Sequence, residues 1–232
     1  MNLLYEGKAK KVYGTDCERE VRIEFKDSAT AFNGQKKGEI VGKGIINAAL
    51  SARLFSWVAQ HDISTHFIEQ IDERNLRVER LSMIKLEVVV RNGVAGSLHQ
   101  RTGLPEGTSL DVPILEFYYK NDDLGDPLLN DDHIQLLALA SPDLVARLRQ
   151  QALRINQVLR PFFSQRNLVL VDFKLEFGWN EAGDLALGDE ISPDTCRIWD
   201  ATSGERMDKD RFRRDLGGVE EAYQEVYRRV MA

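Results

Sequence analysis

In the stretch from Leu170 to Gly178, Asp172, Lys174 and Glu176 alternate with Val171, Phe173, Leu175 and Phe177. Side chains of a strand point to opposite faces in turn, so the pattern predicts one apolar face for a core and one face bearing carboxylate, amine and carboxylate in a row. Ionisable groups so placed are costly to bury unless a metal or ligand compensates them. A solvated face with internal charge pairing reads as well from this stretch alone. After a turn around Asn180 to Asp184, Leu185 to Asp189 reads as the second strand of a hairpin, which brings Asp189 and Glu190 near Glu176. Facing carboxylates suit a hard ion such as Mg2+, which fills its other positions with water and substrate phosphates.

A second constellation runs from Leu86 to Ser97. An apolar strand holding Glu87 delivers Arg91, and the small residues Gly93, Ala95 and Gly96 lead to Ser97. Glycine lets backbone approach a ligand closely, and an arginine fork can hold phosphate or carboxylate through two bonds, although a strand edge paired with a neighbouring acid has the same appearance. Lys8 and Lys10 alternate around the turn at Gly7 and can face one cleft, or simply solvent. The polar turn from Lys120 to Pro127 and the stretch from Ile191 to Asp200, which reads as a loop with a Pro193-Asp194 turn, add further binding groups or capped surface turns.

Several chemistries lack their signal. Gly38 to Gly44 has three residues between Gly38 and Gly42, and glycine follows Lys43, so it misses the phosphate-binding loop; Gly42 and Gly44 are expected to serve the turn into a helix. There is no Gly-x-Gly-x-x-Gly fingerprint and no Gly-x-Ser-x-Gly elbow. His61, His66, His99 and His133 include no pair at the helical spacing of a zinc site. Cys17 and Cys196 have no metal spacing and read as reduced thiols.

The elements that must position these groups follow from periodicity. Leu3 to Tyr5, Lys11 to Tyr13 and the alternating Val21, Ile23 and Phe25 read as antiparallel strands. Apolar stripes predict a helix from Gly44 to about His61, strands return at Phe67 to Ile71, Leu76 to Arg80 and Ile84 to Val90, and further helices cover Pro142 to about Phe163 and Val219 to Val230. Strands and helices mix without βαβ alternation, which predicts an α+β fold with a β-rich N-terminal lobe and a larger mixed lobe. The division falls at residues 1–85 and 86–232.

The 232 residues are 43% hydrophobic and 29% charged, enough for a sizeable core, and the net charge of −6 argues against nucleic acid or an anionic membrane as partner. No apolar run is long enough to span a bilayer, and Met1 to Glu6 lacks the pattern of a signal peptide, so a cytoplasmic protein is expected.

Together these segments resemble the SAICAR synthetase family. The family signature Leu-[Ile/Val]-Asp-x-Lys-x-Glu-Phe-Gly is met from Leu170 to Gly178, and a second is met at Glu87, Arg91, Ala95, Gly96 and Ser97. Family-like blocks recur at Tyr5 to Lys10, Phe32 to Gly34, Lys120 to Pro127, Asp189 to Asp200 and Asp208 to Arg213. One departure is Lys85, where the family usually has proline; it restores a backbone N–H. The resemblance implies a two-lobed, ATP-grasp- or kinase-like fold with ATP in the cleft. It implies a ligase of purine biosynthesis that joins the carboxylated aminoimidazole ribotide CAIR to L-aspartate through an acyl phosphate. It further implies Glu176 and Asp189 as Mg2+ ligands, and Lys8, Lys10, Met83, Glu87 and Lys120 at the nucleotide. Arg91, Ser97 and Arg197 would be at CAIR, with Asp172 and Lys174 catalytic in its pocket, and the chain would form a homodimer. A small-molecule kinase or a nucleotide sensor without turnover would share the lysines and the acidic pair.

Overall fold

The computed structural model describes residues 2–31 and 34–232; Phe32 and Asn33, which belong to one family-like block, lie outside them. An antiparallel sheet opens the chain: β1 (Leu3–Glu6), β2 (Lys10–Gly14) and β3 (Glu20–Phe25). A small hairpin follows, β4 (Ser28–Ala31) and β5 (Lys36–Glu39), then the helix α1 (Lys43–Ala59), and β6 (Phe67–Gln70) with β7 (Asn75–Glu79) return to the first sheet in the order β1-β2-β3-β7-β6.

The second sheet begins with the long β8 (Ser82–Gly93) and continues, after α2 (Gly96–Thr102), with β9 (Ser109–Tyr119) and β10 (Leu128–Leu129). Beyond the helices α3 (Asp131–Leu136) and α4 (Pro142–Ser164) come β11 (Leu168–Trp179), β12 (Leu185–Gly188) and β13 (Cys196–Asp200), then α5 (Asp210–Arg213) and α6 (Val219–Met231). The order is β10-β9-β8-β11-β12, and β13 pairs with the other half of β11. The architecture is the expected α+β with antiparallel sheets.

Packing explains the helices. The N-terminus of α4 is capped by Ser141, whose Oγ accepts the N–H of Leu144 at 3.2 Å, with Pro142 in the first turn where no donor is needed. Its Leu148, Ala152, Ile155 and Leu159 lie in the main core against Val88, Val90, Phe173, Leu175 and Phe177. Helix α1 serves two cores: Leu50, Leu54 and Phe55 join the main one, whereas Ala48 and Ala52 pack beneath Ile23, Phe25, Leu76 and Val78 of the first sheet. Its entry uses both expected glycines. Gly42 sits at φ 77°, and a Cβ on Gly44 would meet the carbonyl oxygen of Phe25 at 2.5 Å.

Two expectations need correcting. Val171 was expected beside Phe173 on the core face, but the register with β13 shifts between Leu170 and Asp172. That bulge brings Leu168 and Leu170 into the main core with Phe173 and leaves Val171 buried outside it. The stretch from Ile191 to Asp200, read as a loop, becomes strand from Cys196 onward. Both cysteines are free, Cys196 buried and Cys17 exposed. Lys85 stays exposed within an unbroken β8. Among the described residues no helix is long and apolar enough to cross a membrane.

Candidate active site

One face of the second sheet is the core; the other carries the polar groups. The register sets Asp172 opposite Arg91 and Glu176 opposite Glu87, with Lys174 between them in the row. On the far side of β8, Glu87 stands opposite Tyr118 and Val89 opposite Glu116. Period-two alternation on β8, β9 and β11 therefore collects Glu87, Arg91, Glu116, Tyr118, Asp172, Lys174 and Glu176 on a single surface.

The part of that surface formed by Glu87, Arg91, Asp172, Lys174 and Glu176 floors a cleft of about 720 Å³ roofed by the first sheet. Lys8, Lys10, Met83, Glu87, Arg91, Lys120, Asp172, Lys174, Glu176, Asp189 and Arg197 all line it. Ser97 does not; it lies in the first turn of α2, one hydrogen bond behind, where its Oγ accepts from Arg91 Nη2 at 2.9 Å. The signature glycine has a steric reason: a Cβ on Gly178 would meet the Ser82 carbonyl oxygen and Leu81 Cβ at 2.9 Å, so the strand that delivers Met83 could not approach.

At one end, carboxylates and lysines interleave. Lys174 Nζ lies 2.6 Å from Glu176, 2.8 Å from Glu87 and 3.8 Å from Asp189. Lys120 pairs with Glu176, and Lys10 pairs with Asp189 and sits 3.0 Å from Glu190. Lys8 pairs with Asp122 at 2.7 Å at the exposed rim. Burial opposes the charge on Lys174, but Glu176, Asp189 and Glu87 outweigh it and hold the ammonium well above the usual lysine range. Burial likewise works against the Asp189 carboxylate, and Lys10, Lys174 and Lys120 more than reverse it, leaving its pKa well below the usual range. Asp189 also adopts a left-handed backbone, φ 59°.

A metal fits this donor set. Glu87, Glu176, Asp189 and Glu190 face Lys10, Lys120 and Lys174, so the end retains an unbalanced negative charge, and Glu176 with Asp189 already share one cationic nitrogen. Two carboxylates completed by phosphate oxygens and water are the usual Mg2+ arrangement.

The other end is built on arginine. Arg91, 3% exposed, donates from Nε to Glu116 at 2.7 Å, from Nη1 to Asp172 at 2.7 Å, and from Nη2 to Ser97 and to Tyr118 at 3.0 Å. Arg197 donates from Nη1 to both oxygens of Asp172, at 2.9 and 3.1 Å, and from Nε to Asp210 at 2.8 Å. Among the described residues its Nη2 makes no such bond, and it lies 2.4 Å from where a Cβ on Gly96 would stand. Glycine at that position of the second signature also takes a left-handed φ of 51°, which other residues adopt only with strain. Behind the arginines, Asn92 and Asn156 exchange two 2.8 Å hydrogen bonds and tie β8 to α4.

Lys209 and Arg213 also line this end and were not singled out as site residues. Their four-residue spacing, one helical turn, was the available signal. Glu116 and Tyr118, which hold Arg91, were missed for want of any local motif.

The model of the SAICAR synthetase family matches residues 3–230. The chain belongs to the SAICAR synthetase family. A phosphoribosylaminoimidazole-succinocarboxamide synthase of Coprothermobacter proteolyticus is 55% identical, over 99% of this chain and 98% of its own length. One from Chlorobaculum parvum is 54% identical over 100% and 98%. Among solved structures, a SAICAR synthetase in complex with ADP superposes with a TM-score of 0.94 at 50% identity, covering 97% of this chain and 96% of that one. The phosphoribosylaminoimidazole-succinocarboxamide synthase of Ehrlichia chaffeensis superposes at 0.97 with 42% identity, covering 100% and 99%. As a SAICAR synthetase family member, the chain is a ligase that uses ATP.

Proposed function

We propose that this ligase condenses CAIR with L-aspartate in the cytoplasm, releasing ADP and phosphate, with residues 1–85 and 86–232 acting as two lobes about the cleft. The observation that carries the reading is the pairing, in one cleft of a SAICAR synthetase family chain, of a lysine–carboxylate end with an arginine end.

A carboxylate is a poor electrophile at neutral pH. Attack by a CAIR carboxylate oxygen on the γ-phosphorus, with ADP leaving, gives an acyl phosphate. The aspartate amine then attacks the acyl carbon, phosphate leaves, and the amine loses its proton. The protein has to align the reactants and balance charge. In this reading Lys8, Lys10 and Lys120 hold phosphates, Met83 borders the base and Glu87 the ribose. Glu176 and Asp189 hold Mg2+, which when bound neutralises phosphate oxygens. Arg91 and Arg197 grip CAIR, with Ser97 fixing Arg91. Lys174, whose ammonium is held charged by its carboxylate neighbours, balances charge beside the transferring group, and Asp172 keeps both guanidinium planes in register.

Purified protein should release phosphate from MgATP only when CAIR and L-aspartate are both present. ADP formed without the amine and without matching phosphate would point to a kinase, and no ADP at all to a nucleotide sensor; either result overturns the reading.

A further inference from the structure

Lys43, the lysine of the near-miss phosphate loop, does not line the cleft; its side chain is 1% exposed. An ammonium buried to that degree needs a charged partner. Its Nζ donates to Asp194 Oδ2 at 2.8 Å. The same carboxylate accepts the hydroxyl of the buried Tyr223 of α6 at 2.7 Å and the Lys209 ammonium at 3.4 Å. Lys209 also donates its backbone N–H to the Pro193 carbonyl at 3.1 Å. Asp194 thus joins α1, α6 and the segment entering α5, and both Asp194 and Lys209 line the cleft beside Arg197 and Arg213.

One carboxylate held between two ammonium groups cannot collapse fully onto either. Without Lys43, the whole charge of Asp194 acts on Lys209 and draws its ammonium closer than the present 3.4 Å. We propose that Lys43 is a positioning residue which, through Asp194, sets where the Lys209 ammonium stands at the arginine end of the cleft. It thereby controls use of the acceptor substrates and leaves ATP alone. The inference rests on the reading above that the acceptors occupy this end.

The test is steady-state kinetics on the purified full chain, varying MgATP, CAIR and L-aspartate in turn. Lys43→Met should lower kcat/KM for CAIR or L-aspartate about tenfold and keep KM for ATP within about twofold. Lys43→Arg, which retains the charge, should recover most of the loss. Lys209→Met should add less than about twofold in the Lys43→Met background, because the two act through one carboxylate. Unchanged acceptor kinetics in folded Lys43→Met, an equal rise in KM for ATP, or full additivity with Lys209→Met would overturn the proposal. If Lys43→Met does not fold, Tyr223→Phe removes a single bond to Asp194 and should give the same split at about threefold; its absence is equally decisive. A wild type that requires aspartate beside a variant without the split sinks this inference alone, whereas a wild type indifferent to aspartate sinks the reading beneath it.

Discussion

The two ends of the cleft balance the same charges with different cations. At the carboxylate end, Glu176 and Asp189 are paired with lysines, which are compact charges on flexible stems. At the other end, Asp172 lies between two arginines whose planar forks are fixed by Glu116, Ser97, Tyr118 and Asp210. Under the proposed function, the first arrangement would exchange partners when a polyphosphate and its counter-ion arrive, because ammonium groups can swing from carboxylate to phosphate. The second is built before any ligand arrives. A site that must accept a flexible, highly charged donor and hold an acceptor in one orientation has reason to use both.

The sharpest way to break the comparison is at the carboxylate end. Glu176→Gln or Asp189→Asn keeps the shape and removes a charge, and should lower kcat about 100- to 1000-fold, the scale of a lost electrostatic contact in the transition state. Turnover at the wild-type level in both variants at ordinary Mg2+ would remove them from the metal site. Thermal denaturation should show that both still fold.

At the arginine end, geometry should count where charge alone does not. Arg91→Lys keeps the charge and loses the fork, and should cost about 1.5–3 kcal/mol, roughly 10- to 150-fold in kcat/KM for CAIR. The KM for ATP should move much less. A rise in KM for ATP with CAIR kinetics intact would transfer Arg91 to the nucleotide.

The effect with the least bearing on turnover concerns stability behind Arg197. Burial, then the neighbouring Asp210, pushes the Asp208 carboxyl up to about 7, against the backbone N–H of Asp210 and the nearby arginines. A carboxyl raised above its unfolded value contributes stability that is complete below the unfolded pKa, about 4, and is lost as pH rises through 7. Unfolding followed from pH 4 to 8 should show this decline superimposed on the other groups, and Asp208→Asn should flatten it. An unchanged slope would mean that Asp208 does not titrate in this window.

What the sequence made legible follows the range of the interactions. The polar face of β11 was readable because its period is local, and the hairpin that brings Asp189 to Glu176 needed only a short turn. The bulge before Asp172 was not readable, since a register shift shows only against the paired strand. Nor were the partners of Arg91: Glu116 and Tyr118 reach it through pairing between β8 and β9, which no spacing along the chain reveals. Lys43 is the clearest case. Its neighbours in sequence suggested phosphate, whereas its partner Asp194 lies 151 residues away.

Helix α1 has a consequence for how the molecule comes apart. One of its faces completes the small core of the first sheet and another enters the main core, so neither core can lose the helix without exposing apolar surface of its own. Local opening of either sheet should therefore approach the free energy of global unfolding, and the slowest-exchanging amide protons of β3 and β11 should report nearly the same value. The ligand cleft should then behave as a groove between parts of a single cooperative unit, its two walls melting together.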